Sequence, residues 1–492
     1  MSMMPTASSL RDWAGEFLGN IPLMVVTNRE PYQHDQSADR ITVTQAGGGV
    51  VSALHPVLES IDGLWIAHGS GTADRKTVDD QYNVAVPPDS PKYILHRVWL
   101  TKEQERRYYS GFCNQTLWPL CHTAWVRPKI DRKDWRAYEA VNERFAQAIL
   151  SQIDGTPPLV WLHDYHLALV PRMLRTRATT RSIGFFWHIP WPSEAVFRIL
   201  PWKHDLLEGL LGADVLAFHS EHYVTNFLQT VESELDATID EKRGEVIYAH
   251  HTTRVRHFPL GVDYQWFSER AALAEHARAH LKRRIARSVQ HICLSVSRID
   301  YTKGLVECLD GVDLFLQRYP EYRKKFVYVL IGAPSRTSIP AFAQLNRTVA
   351  EHVRRINRKY RSGHWNPIYY IRENMEWEDL VHFYRAANLF LVGSLDDAMN
   401  LICKEYVACC DDENAVLLLS SLIGAAEELV DAVQFNPYDV EAIALVLHEA
   451  VTMKGVERAR RIAALKRQVC EYDVYNWARH NLEAMLDTPP PA

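Results

Sequence analysis

Short apolar runs recur along this chain, separated by stretches in which apolar residues return every three or four positions. The first pattern fits strands buried on both faces, and the second fits amphipathic helices. Their alternation predicts parallel sheets of the doubly wound α/β type. In the first half the predicted strands are Leu23–Val26, Leu159–Leu162, Ile183–Trp187 and Val215–Phe218. In the second half they are Ile292–Val296, Phe326–Ile331, Ile368–Ile371, Leu389–Val392 and Val416–Leu419. The pattern breaks near Phe258-Pro259-Leu260-Gly261-Val262, ahead of a charged helical segment from Glu269 to Arg287. Two Rossmann-like domains are therefore predicted, residues 1–262 and 263–474. The last helical stretch, Tyr475 to Leu486, is expected to pack back on the first domain. A short amphipathic helix is predicted from Leu10 to Leu18, and the tail from Thr488 to Ala492 is expected to fray.

Bulk composition narrows the function classes. A chain of 492 residues exceeds what one core supports and fits two large domains. A net charge of -5 gives no basic field, so nucleic acid is not an expected partner. No stretch reaches the length of a membrane span, and Arg11, Asp12 and Glu16 interrupt the N-terminus, which does not read as a secretory signal. The 8 cysteines are scattered without a CxxC pair, and the 22 histidines show no HExxH spacing. The expectation is a reduced, cytoplasmic protein without structural zinc.

Chemistry in an open α/β sheet gathers just past the carboxyl ends of strands. Ser297-Arg298-Ile299-Asp300-Tyr301-Thr302-Lys303-Gly304 follows one predicted strand and precedes an apolar helical stripe, Leu305, Leu309, Val312 and Phe315. Two fixed cations beside a helix N-terminus suit a diphosphate that must leave with its charge compensated. Other strand tips carry Thr27-Asn28-Arg29, His163-Asp164-Tyr165-His166, His188-Ile189-Pro190 and, after Gly332, Arg336. Gln45-Ala46-Gly47-Gly48-Gly49 lies between a β-like run and a helix, where backbone amides can approach a ligand without Cβ clashes. Asp396-Asp397-Ala398-Met399-Asn400 opens a further helix, with Asn400 as its expected N-cap. Glu405, four residues past Leu401 on that helix, can accept two hydrogen bonds from a ribose diol; as a surface residue it would instead pair with a Lys or Arg.

With these residues in view, the chain resembles the trehalose-6-phosphate synthases, retaining glycosyltransferases of the GT-B fold. The resemblance rests on Asn28-Arg29, Ala46-Gly47-Gly48, Tyr108-Tyr109 with Leu117-Trp118-Pro119, the His163–Leu167 motif and His188-Ile189-Pro190. It continues through Arg298 with Asp300–Gly304, Pro334-Ser335-Arg336, Met399-Asn400-Leu401 with Lys404-Glu405-Tyr406, and Asn436-Pro437-Tyr438-Asp439. It implies two Rossmann-like domains with a cleft between them, the first binding the acceptor and the second the nucleotide-sugar. Arg298 and Lys303 would hold the donor diphosphate, and Leu401 to Glu405 the nucleoside and diphosphate. Asp397, Met399, Asn400 and His188 would reach the donor glucose, and Gly47 and Gly48 would close over both sugars. Arg29, Tyr109, Trp118, Asp164 and Arg336 would form the acceptor site, the two arginines gripping its phosphate. The implied catalytic set is Asp164, His188, Arg298 and Lys303, acting by front-face attack with no cofactor and no metal. Nucleotide-glucose is then a substrate and glucose-6-phosphate the acceptor, in a trehalose pathway that serves osmoprotection. The expected partners are these small molecules, with no nucleic acid and no membrane. A separate phosphatase would act on the product, and a homo-oligomer stays open.

Three departures from the family pattern bear on the acceptor. Ala67-His68-Gly69-Ser70-Gly71 stands where the family usually has Gly-Trp-Ser-Gly. Ala398 replaces a glycine between Asp397 and Met399. Arg29-Glu30-Pro31-Tyr32 is similar to the opening of glucosylglycerol-phosphate synthases, which would make glycerol-3-phosphate the acceptor. A catalytically silent sugar-phosphate sensor of the same fold is the third reading, and the donor base stays open between uracil, guanine and adenine.

Overall fold

In the computed structural model, residues 6–38, 40–274, 276–285, 288–410 and 414–488 are described. Of the expected frayed tail Thr488–Ala492, Thr488 is instead buried and donates to Met485 O at 2.7 Å, closing the last helix; the rest of it, 489–492, and the last two positions of the charged segment, 286 and 287, lie outside the described residues. The chain divides into two compact units, Met1–Leu260 with Val474–Ala492, and Gly261–Asp473.

Unit 1 contains β1 (Leu23–Arg29), β2 (Tyr32–Ser37), β3 (Arg40–Gln45), β4 (Leu64–His68), β5 (Asn83–Val86) and β6 (Tyr93–Val98). It continues with β7 (Leu159–His163), β8 (Ser182–Phe186), β9 (Val215–Phe218), β10 (Thr238–Asp240), β11 (Glu245–Tyr248) and β12 (His251–His257). Its main sheet runs β10-β11-β12-β9-β8-β7-β1-β4-β6-β5, parallel from β12 through β6, while β2 and β3 form a separate hairpin. From β1 the chain builds outward through β4 to β6, then returns to β7 on the other side and builds through β8 and β9. The order therefore reverses between β1 and β7, the kind of position past whose carboxyl ends open α/β sheets bind their ligands. The sequence pattern missed β4, β5 and β6. Tyr93-Ile94-Leu95-His96-Arg97-Val98 does not read as an apolar run, because His96 and Arg97 interrupt it; both are buried.

Unit 2 holds β13 (His291–Arg298), β14 (Phe326–Ala333), β15 (Ile368–Ile371), β16 (Leu389–Val392), β17 (Val416–Ser420) and β18 (Val433–Phe435). All are parallel in the order β15-β14-β13-β16-β17-β18, and the reversal falls between β13 and β16. The charged segment after the break is not one helix. It forms Tyr264–Leu273 and Ala277–Ile285, the first ending at Ala274. The helix Leu305–Arg318 buries Leu305, Leu309, Val312 and Phe315 on the sheet, as its spacing predicts.

The terminal helix Val474–Leu486 belongs to unit 1, where Trp477 packs within 5.0 Å of the Trp161 ring and 5.3 Å of the Phe186 ring, between centroids. Among the described residues no helix is long and apolar enough to cross a membrane. All eight cysteines are free thiols.

Candidate active site

Each reversal point carries the residues that the sequence singled out. In unit 2, Arg298 ends β13, and a single turn, Tyr301–Lys303, joins it to the next helix. Gly304 caps that helix with φ 60°, and a Cβ there would stand 1.9 Å from the carbonyl oxygen of Gly393. Only glycine allows this approach, which presses the loop after β13 against the loop after β16. Leu395 N donates to Thr302 O at 2.7 Å across the same seam.

The contact that follows is the tightest in the site: Lys303 Nζ donates to Asp397 Oδ2 at 2.5 Å, and Asn400 Nδ2 donates to the same oxygen at 3.1 Å. Asn400 is the N-cap of Leu401–Cys409, accepting from Cys403 N at 3.2 Å. Ala398 does not adopt a left-handed φ, so alanine fits where the family pattern has glycine. Met399 is buried beside it, and Leu401 is half-buried at the start of the helix.

Glu405 is not a surface partner for a Lys or Arg. It is buried, and Tyr384 Oη donates to its Oε2 at 2.7 Å. Burial raises its pKa to about 7, against the lowering effect of that hydrogen bond. Arg336, in the loop after β14, donates to Asp300 at 3.2 Å.

In unit 1, Arg29 ends β1 on the exposed side, and its Nη1 lies 3.6 Å from where a Cβ on Gly48 would stand. Gly47 and Gly48 precede the helix Gly49–Ile61, so the glycine loop and Arg29 form one corner. Glu30 does not pair with Arg29. It is buried and binds Arg97, Nε to Oε2 at 2.9 Å, and accepts from Ser70 N at 2.8 Å. Arg97 also binds Asp74 at 2.9 Å, so one guanidinium serves two buried carboxylates. Burial drives the Glu30 carboxyl upward despite Arg97. Asp74, for which burial acts in the same upward direction, is held low by hydrogen bonds with His34 and Glu30 and by Arg97. His68 ends β4 as the register partner of Arg29 and is buried, and burial pushes its pKa down to about 4.

Asp164 follows β7 with φ 76°, a region that non-glycine residues seldom enter, which marks it as constrained. Its carboxylate caps Tyr165 N at 3.0 Å and sits 3.4 Å from His166 Nδ1. Burial opposes its ionised form, but the His166 contact wins and lowers its pKa. Nδ1 of His163 and Nε2 of His188 are hydrogen-bonded at 3.0 Å, and burial pushes both imidazoles down, His188 to about 4, which favours the neutral forms.

An aromatic path joins these residues. Tyr108 Oη donates to Asn28 Oδ1 at 2.9 Å, Tyr109 stacks on His166 at 5.7 Å, and Trp118 lies 6.0 Å from Tyr165, both between ring centroids. Tyr108 and Tyr109 ride on a π-helix, Arg106–Leu117, whose wide turns match the side-chain bonds from Asn114 to Tyr109 O and Gln115 to Ser110 O, each 2.7 Å. π-Helical turns recur at functional sites.

Sequence reasoning did not single out Arg97, Asp74, the His163–His188 pair or Trp477. A charge set inside the otherwise largely apolar stretch Tyr93–Val98 was the one signal available for Arg97. The structure gathers Arg29, Gly47, Gly48, Tyr109, Trp118, Asp164 and His188 in unit 1. Arg298, Lys303, Arg336, Asp397, Met399, Asn400, Leu401 and Glu405 belong to unit 2. Among the described residues no group of three or more His, Cys, Asp or Glu is placed to hold a metal.

Comparison with known proteins gives consistent matches. The family model for glycosyltransferase family 20 matches residues 22–487. A trehalose-6-phosphate synthase of Mycolicibacterium vanbaalenii is 35% identical over 96% of this chain and 97% of its own length. A bifunctional trehalose-6-phosphate synthase/phosphatase of Thermoproteus tenax is 34% identical over 94% of this chain, and the match spans 63% of that relative. The crystal structure of a UDP-forming alpha,alpha-trehalose-phosphate synthase from Burkholderia xenovorans, in complex with glucose-6-phosphate, superposes with a TM-score of 0.84. It is 29% identical, covering 94% of this chain and 99% of that one.

Proposed function

The chain belongs to glycosyltransferase family 20, and from that premise we propose that it transfers glucose from UDP-glucose to glucose-6-phosphate, releasing UDP and forming alpha,alpha-trehalose 6-phosphate. The observation that carries this reading is the reversal point of unit 2. There Lys303, Asp397 and Asn400 form one connected set, with Arg298 ending β13 and Glu405 on the helix that Asn400 caps, groups suited to a diphosphate, a sugar and a ribose.

The chemistry follows from charge. As the glucosyl–oxygen bond breaks, negative charge grows on the departing diphosphate and positive charge on the sugar ring. Arg298 and Lys303 stabilise the first more strongly in the transition state than in the bound donor, which is what accelerates a reaction. Lys303 must exchange Asp397 for the diphosphate, and that exchange frees Asp397 to accept from a glucose hydroxyl. The departing oxygen takes the proton of the acceptor hydroxyl that attacks from the same face, so configuration is retained. His188, neutral at pH 7, serves as a hydrogen-bonding group for the donor sugar rather than as an acid. For the acceptor, unit 1 offers Arg29 to the phosphate and Tyr109, Trp118 and Asp164 to the sugar, and unit 2 offers Arg336 to the phosphate.

The similarity of residues 29–32 to glucosylglycerol-phosphate synthases does not bear on the acceptor at Glu30, which is occupied by Arg97 and Ser70. The test is nucleotide release, crossing UDP-, GDP- and ADP-glucose with glucose-6-phosphate and glycerol-3-phosphate. Turnover with UDP-glucose and glucose-6-phosphate is expected to dominate. Preferred turnover with glycerol-3-phosphate, or none with any pair, refutes the reading.

A further inference from the structure

Asp300 sits between Arg298 and Lys303 in sequence and is fully buried. One carboxylate oxygen caps the turn that follows, accepting from Thr302 N at 3.2 Å, and the other accepts from Arg336 Nη1, also at 3.2 Å. Strand register sets this meeting: Arg298 pairs with Ala333, and Ile299 N donates to Ala333 O at 2.8 Å. Arg336 is bounded again by Phe342, whose ring lies 5.4 Å from the guanidinium carbon, and Phe342 packs at 5.2 Å against Tyr301 of the same loop. The backbone of Arg336 has φ 48°, a strained left-handed conformation for arginine that surrounding contacts must hold in place. One loop therefore carries the two leaving-group cations and also clamps a third cation from the next strand.

We propose that Asp300 is a positioning residue, which fixes the Arg336 guanidinium for the acceptor phosphate and thereby joins acceptor recognition to the loop that binds the donor diphosphate. The inference rests on the proposed function and deepens it. A carboxylate on one corner of a guanidinium leaves the remaining N–H groups in set directions, which suits bidentate recognition of phosphate. Without that anchor Arg336 keeps its charge and loses its direction.

The test uses Asp300→Asn, which preserves size and the cap and removes the charge. Asp300→Ser, which preserves the cap alone, takes its place if thermal melting shows that the first variant does not fold. Losing the charged anchor is expected to raise the KM for glucose-6-phosphate about tenfold or more, with the KM for UDP-glucose changed by less than about twofold. In an Arg336→Ala background the same substitution is expected to change the acceptor KM by less than about twofold, because the group it acts through is gone. A purely structural Asp300 would shift both backgrounds alike. Equal effects in the two backgrounds, an unaltered acceptor KM, or a change confined to the donor KM each overturn the inference while the proposed function stands. A wild-type chain that releases no nucleotide with any phosphorylated acceptor overturns both.

Discussion

Arg298 and Lys303 were legible in the sequence as cations at a strand tip, but their partners were not. Lys303 is held by Asp397 at 2.5 Å, a partner it exchanges for the diphosphate. Removing either cation should lower turnover more than it weakens donor binding, since the charge it meets grows during the reaction. One lost contact of this kind costs about 3 kcal/mol, so Arg298→Ala and Lys303→Ala should each reduce kcat by about 100-fold. Steady-state kinetics with donor varied checks this, and near-normal kcat with only a raised donor KM refutes it.

Glu405 gives a pH prediction. The folded chain keeps a proton on Glu405 up to about pH 7, whereas the unfolded carboxyl loses it near its ordinary value of 4.5. Its contribution to stability therefore falls as pH rises from 4.5 to about 7. Donor binding runs the opposite way, because only the ionised carboxylate accepts from both hydroxyls of a ribose. UDP should bind about tenfold more tightly at pH 8 than at pH 6 through this group. Calorimetric titration of wild type and Glu405→Gln separates it from titration of the nucleotide itself. The same pH dependence in both proteins sinks the ribose assignment.

At the scale of elements, the β2–β3 hairpin and the loop after β4 are fastened to the sheet by one buried arginine. Arg97, fully buried on β6, binds Glu30, Asp74, the Tyr32 carbonyl and Thr77. Breaking such a network from one side strands its charges, at about 3–5 kcal/mol. Arg97→Met should therefore destabilise the fold by that amount in denaturant unfolding, whereas replacing the nearby exposed Arg75 should have little effect. A loss below about 1 kcal/mol for Arg97→Met would show that the carboxylates find other partners or neutralise. The π-helix Arg106–Leu117 is a second element that no periodicity announced. Its wide turns come from backbone bonding five residues apart, a spacing that the Asn114 and Gln115 side chains share and that a 3.6-residue template does not register.

At the scale of the molecule, unit 1 is discontinuous, closed by a helix that begins after the whole of unit 2. Trp477 supplies that closure, packed among Trp161, His163 and Phe186 beneath the strand tips that carry Asp164 and His188. Trp477→Ala should cost about 3–5 kcal/mol, lowering the melting temperature and loosening unit 1 first. Hydrogen exchange checks the location: faster exchange in β7 and β8 with β13 and β14 unchanged is expected. Uniform acceleration in both units would refute a role confined to unit 1.

Local pattern determined most of the sheet framework. Strands buried on both faces announce themselves as apolar runs, and helices as stripes, so the doubly wound architecture and the strand tips bearing Arg29, Asp164, His188, Arg298 and Asp397 could be read from the chain alone. Tertiary structure decided which tips become neighbours within each unit. Strand order places β1 beside β7 and β13 beside β16, and no local signal encodes order. It also decided the fate of buried charges: Arg97, Asp300 and Glu405 carry no mark of burial in the sequence, because the partners that make it tolerable lie far away along the chain and meet them only in the fold.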